Sequence, residues 1–283
     1  MRIRGIDLHV QIVGSGKSLI WGHGLMFSMA MEDALGIVDF SRLAAETPAR
    51  IVRYDARGHG ASTGVDRPDD YQWPALAQDM LALADAVGVD RFIAGGQSMG
   101  MATSLYAALA APERIEALVL ANPPTAWEAR IAQASIYEQM ASLVASKGIE
   151  ALRALFESQP ASPRWLWEQS SKSGGPPHVA RALDWVDPRT LPSVLRGAGQ
   201  TDLPPREALP AVTLPTLILA WADDPMHPLA VAETLADLIP AARLEVARDA
   251  AGLRAWPEHI RDFVRGLGSR TGEITATDSI RND

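Results

Sequence analysis

The chain has 283 residues, enough for one large α/β domain with an insertion or for two small domains. Hydrophobic residues make up 47% and charged residues 21%, the balance of a globular protein with a substantial core. There is no cysteine, which excludes disulfides, thiolate catalysis and Cys-ligated metals and fits a reducing, cytoplasmic setting, while a net charge of −8 without a basic stripe argues against nucleic acid as a partner.

In chain order, Met1 to Asp7 has no long apolar stretch, so no signal peptide is expected. Leu8 to Val13 alternates and breaks at Gly14-Ser15-Gly16, which predicts an edge hairpin. Ser18 to Trp21 reads as a short buried strand running into Gly22-His23-Gly24. A helical stretch around Leu35 to Ala45 leads to a second buried strand, Arg50 to Tyr54, and then to a Gly-rich loop from Asp55 to Ser62. Pro74 stands where a helix begins, and Leu76, Met80, Leu83 and Val87 recur at helical spacing. Arg91 to Ala94 is a strand, Ser98 to Ala111 a helix, and Ala117 to Ala121 the next strand.

The alternation then stops. From Pro123 to Pro210 the chain reads as mostly helical, with a turn at Gly174-Gly175-Pro176-Pro177 and four of the eight tryptophans, Trp127, Trp165, Trp167 and Trp185. Strand and helix resume with Thr216 to Ala220, Leu229 to Leu238, Leu244 to Val246 and Glu258 to Leu267. This pattern predicts an α/β fold whose mostly parallel sheet is covered by helices on both faces. Residues 1–122 and 211–268 form the core, 123–210 a helical cap, and 269–283 a disordered polar tail. No run of about 18 apolar residues is present, so no membrane span is expected.

The most informative stretch is Ile93-Ala94-Gly95-Gly96-Gln97-Ser98-Met99-Gly100-Met101. It carries Gly-x-Ser-x-Gly between an apolar run and a helix-forming run. That is the context of a nucleophile elbow, in which the glycines remove Cβ atoms that would collide in a tight strand–turn–helix junction. Three further stretches occur with it in order: Trp21 to Gly24, Asp55 to Ser62, and Ala222-Asp223-Asp224-Pro225-Met226-His227-Pro228. Together they resemble an α/β-hydrolase of the type with a helical cap, over nearly the whole chain up to Leu267.

The resemblance implies Ser98 as nucleophile, which needs a neighbouring base because a serine hydroxyl is too weakly acidic to attack unaided. It implies an oxyanion hole from the backbone N–H groups of Met99 and Leu25, each worth roughly 3–4 kcal/mol to a tetrahedral intermediate. His23 is read as holding that loop. Asp224 matches the family's acid, with its neighbour Asp223 as the alternative.

The family's histidine belongs between the last strand and Trp256-Pro257-Glu258, at Ala250 to Gly252. The loop from Arg248 to Ala255 contains none. His227 then has two readings: a loop histidine bonded to backbone in the pocket wall, or a base that reaches Ser98 from a different angle. Asp249 is a carboxylate base only if desolvation raises its pKa. His178 reads as a surface residue of the cap, with a base descending from the lid as its alternative, His259 as solvated on the last helix, and His9 as remote.

Met26, Met101 and Met226, with Met29, Met31 and Met99, suggest a soft apolar pocket for a small hydrophobic substrate. Nothing in the chain points to a cofactor or a metal site. The reading is therefore a cofactor-independent serine hydrolase of an ester, thioester or lactone. The alternative is a protein of the same fold that binds a ligand, or acts as a lyase or isomerase, because the expected histidine is missing.

Overall fold

The computed structural model describes residues 1–158 and 178–269. Two two-residue strands, β1 (Arg2–Ile3) and β2 (Ile6–Asp7), pair with each other. The main sheet contains β3 (Val10–Gly14), β4 (Lys17–Gly22), β5 (Ala49–Tyr54), β6 (Phe92–Gln97), β7 (Ile115–Ala121), β8 (Thr216–Trp221) and β9 (Ala242–Ala247). Their order is β3-β5-β4-β6-β7-β8-β9, and every pairing is parallel except that of β3 with β5. The expected α/β architecture is therefore present.

One local expectation is corrected. The break at Gly14-Ser15-Gly16 does not close a hairpin, because β5 lies between β3 and β4 and pairs with both. The turn instead crosses the start of β5, with Lys17 N–H donating to the Pro48 carbonyl at 3.0 Å. Gly14 and Gly16 both have positive φ, and a Cβ on either would overlap the Ala49 or Pro48 carbonyl.

Alternation along the central strands divides the core between two layers. Phe92 and Ala94 of β6 and Leu118 and Leu120 of β7 face α3 (Trp73–Ala86), α4 (Met99–Ala110) and α9 (Leu229–Leu238). Ile93, Ala117, Val119 and Ala121 face α2 (Phe40–Glu46) and α11 (Trp256–Ser269). Strands buried on both faces read as continuous apolar runs, and each fully buried Leu or Ile contributes about 1.5–3 kcal/mol.

The stretch read as one helix around Leu35 to Ala45 is two short ones. Gly36 ends α1 (Met29–Leu35) in the left-handed conformation at φ 63°, donating to the Glu32 carbonyl. The Asp39 side chain then caps α2 by accepting from Arg42 N–H at 2.9 Å.

Between β7 and β8 the described chain is helical: α5 (Arg130–Lys147), α6 (Ile149–Ser158), α7 (His178–Arg181) and α8 (Leu191–Gly199), with short 3-10 turns. Tyr137, Met140, Val144, Leu191, Val194 and Leu195 form a third apolar cluster, and the core contributes Met26 and Tyr71 to it. Trp165, Trp167, the turn at 174–177 and the tail from 270 lie outside the described residues. A short helix, α10 (Ala250–Arg254), fills the loop after β9. Among the described residues no helix is long and apolar enough to cross a membrane.

Candidate active site

The elbow between β6 and α4 holds Ser98 at φ 52°, ψ −109°, an unfavourable conformation for a non-glycine residue. It is held from both sides: Ser98 N–H donates to the Ala121 carbonyl at 2.9 Å, and its own carbonyl accepts from Ala102 N–H at 3.0 Å. Gly96 and Gly100 are required by close backbone approach. A Cβ on Gly100 would overlap the Gly22 carbonyl of β4, and one on Gly96 would meet both that carbonyl and the Gly100 backbone. The five-residue motif thus works as a packing joint between β4, β6 and α4.

The loop after β4 approaches the serine directly. A Cβ on Gly24 would stand 3.7 Å from the Ser98 Cβ. His23 is buried and props this loop: its Nδ1 lies 2.8 Å from the Gly24 carbonyl, and its Nε2 accepts from Ala56 N–H at 2.9 Å. Leu25 N–H, next in the loop, makes no backbone hydrogen bond among the described residues. Met99, as the first residue of α4, has no acceptor within the helix for its own N–H. Two N–H groups thus lack a backbone acceptor among the described residues, that of Met99 next to Ser98 in the chain and that of Leu25 in the loop that approaches it.

The loop after β8 is a tight turn. The Asp224 carbonyl accepts from His227 N–H at 3.2 Å, closing a four-residue β-turn with Pro225 at its second position. The Asp224 Oδ1 accepts from Met226 N–H at 2.9 Å, the side-chain bond that aspartate makes to its own turn. This geometry folds His227 back onto the residue three positions earlier. Its Nδ1 lies 2.7 Å from Asp224 Oδ2, and its Nε2 lies 2.9 Å from Ser98 Oγ. A carboxylate only accepts, so Nδ1 carries the proton and Nε2 is left free to accept from the serine hydroxyl.

Asp224 is buried, whereas its neighbour Asp223 is exposed in the left-handed conformation at φ 66°. Burial by itself pushes the Asp224 carboxyl up. Donation from His227, Trp221 and the Met226 N–H outweighs that and leaves it below the usual carboxylate value. The group thus stays ionised at neutral pH.

The other candidates fall elsewhere. Asp249 caps α10, with its Oδ1 accepting from Gly252 N–H at 2.8 Å. His9 is exposed and pairs with Asp55 at 2.9 Å, and His259 lies half-buried on α11. His178 opens α7, and its side chain lies outside the described residues. Met226 is 45% exposed beside the turn, and Met26 lies in the cluster between the core and the insertion. Met101, expected on the pocket wall, is fully buried in the core beside Met80 and Leu105. Residue spacing could not separate it from Met99, because α4 is buried on nearly all sides.

Sequence reasoning missed Trp221, the last residue of β8. Its Nε1 donates to Asp224 Oδ2 at 2.8 Å, and its ring stacks on Trp256 with centroids 5.5 Å apart and planes at 14°. The one available signal was a tryptophan three residues before the acid.

Comparison with known proteins agrees with this fold. The profile of the alpha/beta hydrolase fold matches residues 38–252. The 3-oxoadipate enol-lactonase 2 of Acinetobacter baylyi is 28% identical over 200 residues, 69% of each chain. A hydrolase from Pseudomonas aeruginosa superposes with a TM-score of 0.74 at 29% identity, covering 93% of this chain and 94% of that one. The enol-lactonase from Burkholderia xenovorans shares the fold at 22% identity, with a TM-score of 0.71 over 96% and 98% of the two chains. By the profile match and the architecture, this chain belongs to the α/β-hydrolase fold family.

Proposed function

We propose that this hydrolase cleaves a small, uncharged ester or lactone through an acyl-enzyme on Ser98, with His227 as the base and Asp224 as its orienting acid. The observation that carries the reading is the continuous hydrogen-bonded chain from Asp224 Oδ2 through the His227 ring to Ser98 Oγ, with links of 2.7 and 2.9 Å. It supplies what the loop from Arg248 to Ala255 lacks, a histidine within reach of the nucleophile.

The steps follow from the positions. Ser98 Oγ attacks the carbonyl carbon while His227 Nε2 takes its proton. The oxygen that gains charge is held by the N–H groups of Met99 and Leu25. Collapse of the tetrahedral intermediate breaks the ester C–O bond, and His227 returns the proton to the leaving oxygen. Water, deprotonated by the same nitrogen, then releases the acid and regenerates Ser98.

The substrate class draws on two supports. The half-exposed Met226 beside the turn, with Leu25 and Met26 in the loop facing Ser98, offers apolar and adaptable contact surface. The relatives named above include lactonases, which favours a lactone or a comparably small ester. The described helices between β7 and β8, α5, α6 and α8 among them, are the part of the chain we assign as the cap over this substrate.

A fluorophosphonate probe tests the reading. Wild-type protein is expected to label at one site per chain, with labelling lost in Ser98→Ala. A folded wild-type protein that takes up no probe would remove Ser98 as nucleophile.

A further inference from the structure

When acid and base sit on one four-residue turn, no second loop fixes the base. The direction of the His227 ring then depends on how firmly the Asp224 carboxylate is held. Its two oxygens have unequal support: Oδ1 accepts one backbone N–H from Met226, while Oδ2 accepts both His227 Nδ1 and the Trp221 indole. The turn supplies the first bond by its own local geometry. The indole supplies a bond to the carboxylate from the sheet, since Trp221 ends β8 and its Nε1 reaches Oδ2 at 2.8 Å.

The indole is itself fixed. Trp221 is buried and stacks nearly parallel on Trp256, the first residue of α11. Trp256 Nε1 is buried with no hydrogen-bond partner among the described residues, so its contribution is the stacked ring alone. The Trp221 ring also stands edge-on to the His227 imidazole, with planes at 84° and centroids 6.3 Å apart. One indole therefore touches both members of the acid–base pair, and a second indole holds the first.

We infer that Trp221 is a positioning residue of this hydrolase, its indole N–H fixing the Asp224 carboxylate so that His227 presents Nε2 to Ser98. The inference rests on the assignment of Ser98, His227 and Asp224 proposed above. A donor to a buried charged acceptor is among the stronger hydrogen bonds in proteins, and its loss reaches the base through the acceptor they share.

Steady-state kinetics on a short p-nitrophenyl ester test it. Trp221→Phe keeps the stacked ring and removes the donor; the expected result is a fall in kcat of about 10- to 100-fold with KM within about twofold. Trp256→Phe removes a donor with no partner among the described residues and keeps an aromatic ring, and kcat is expected within about twofold of wild type. In an Asp224→Ala background, adding Trp221→Phe is expected to cost no more than a further twofold, because the indole acts through that carboxylate.

Unchanged kcat in Trp221→Phe, or an equal loss with and without Asp224, would overturn the inference. If Trp221→Phe does not fold, Trp221→His decides, since it restores an N–H donor. A folded Trp221→His with kcat within about tenfold of wild type supports the role, and one as slow as Asp224→Ala overturns it. His227→Ala, measured alongside, separates the two levels. Full activity there removes the base assignment and the inference together, whereas an inactive His227→Ala beside an unchanged Trp221→Phe removes only the inference.

Discussion

Two buried titratable groups near the elbow loops respond to burial in opposite ways. Burial alone raises the Asp224 carboxyl, but three donors bring it below its usual value. His59 has no such help. Burial, with the nearby His23, pushes its pKa down to about 3, only partly opposed by its bond to the Arg57 carbonyl at 2.8 Å. Its Nε2 is buried without a partner among the described residues, so protonation there would place an unpaired charge in the interior. The unfolded chain binds that proton near pH 6.5, so the stability associated with neutral His59 is complete above that pH. It is lost as pH falls toward 3, at about 1.4 kcal/mol per pH unit. Asp224 behaves differently: its contribution is complete above the unfolded carboxylate value and is lost only in stronger acid. Urea unfolding at pH 7.5 and 5 should therefore show a smaller acid penalty in His59→Gln than in wild type. Equal penalties would exclude His59 as the source.

At the scale of elements, the elbow is a joint whose tolerance is set by Gly100 against Gly22. A Cβ at Gly100 overlaps the Gly22 carbonyl, a backbone atom that cannot swing aside as a side chain would. Gly100→Ala is expected to destabilise the fold by about 1–3 kcal/mol and to displace Ser98 with it. A thermal melt within 1 °C of wild type, with activity retained, would contradict that packing. This joint was legible in the sequence because strand, turn and helix are local and the glycine spacing states the requirement outright. The strand order was not. Nothing in Leu8 to Gly16 records that a strand some 35 residues later slots between β3 and β4, so a local break read as a hairpin. The Asp224 to His227 turn lies between these cases. Its Asp-Pro-x-His spacing was readable as turn chemistry, but the direction of the imidazole depends on where β6 delivers Ser98, which only the sheet decides. For Trp221 the sequence offered only its place three residues before Asp224, since its bond to Asp224 crosses the end of β8 and its stacking partner begins the last helix.

Across the whole molecule, the helical insertion is tied to the core by one buried cation. Arg130 donates to the carbonyls of Thr125, Ala198 and Thr201, at the beginning and end of the insertion, and lies 4.4 Å over the Trp73 ring of the core. Burial depresses its pKa, with Tyr137 and Asp202 opposing that effect. A second tie runs from Gly60 N–H to the Trp185 carbonyl at 2.7 Å, beside the bridge between His59 and Val186. The core thus brings the elbow, the loop after β4 and the Asp224 turn to one end of the sheet, and the insertion is anchored at that end. The organisation is that of the family, with the proposed base, His227, carried on the turn of Asp224. The most direct test of that central claim is the acylation rate of Ser98 in His227→Ala, followed as the burst of p-nitrophenol from a short ester. With His227 as the base, the rate falls by about 10⁴-fold or more while the protein remains folded. A burst at the wild-type rate would contradict the account and return the search for the base to another residue.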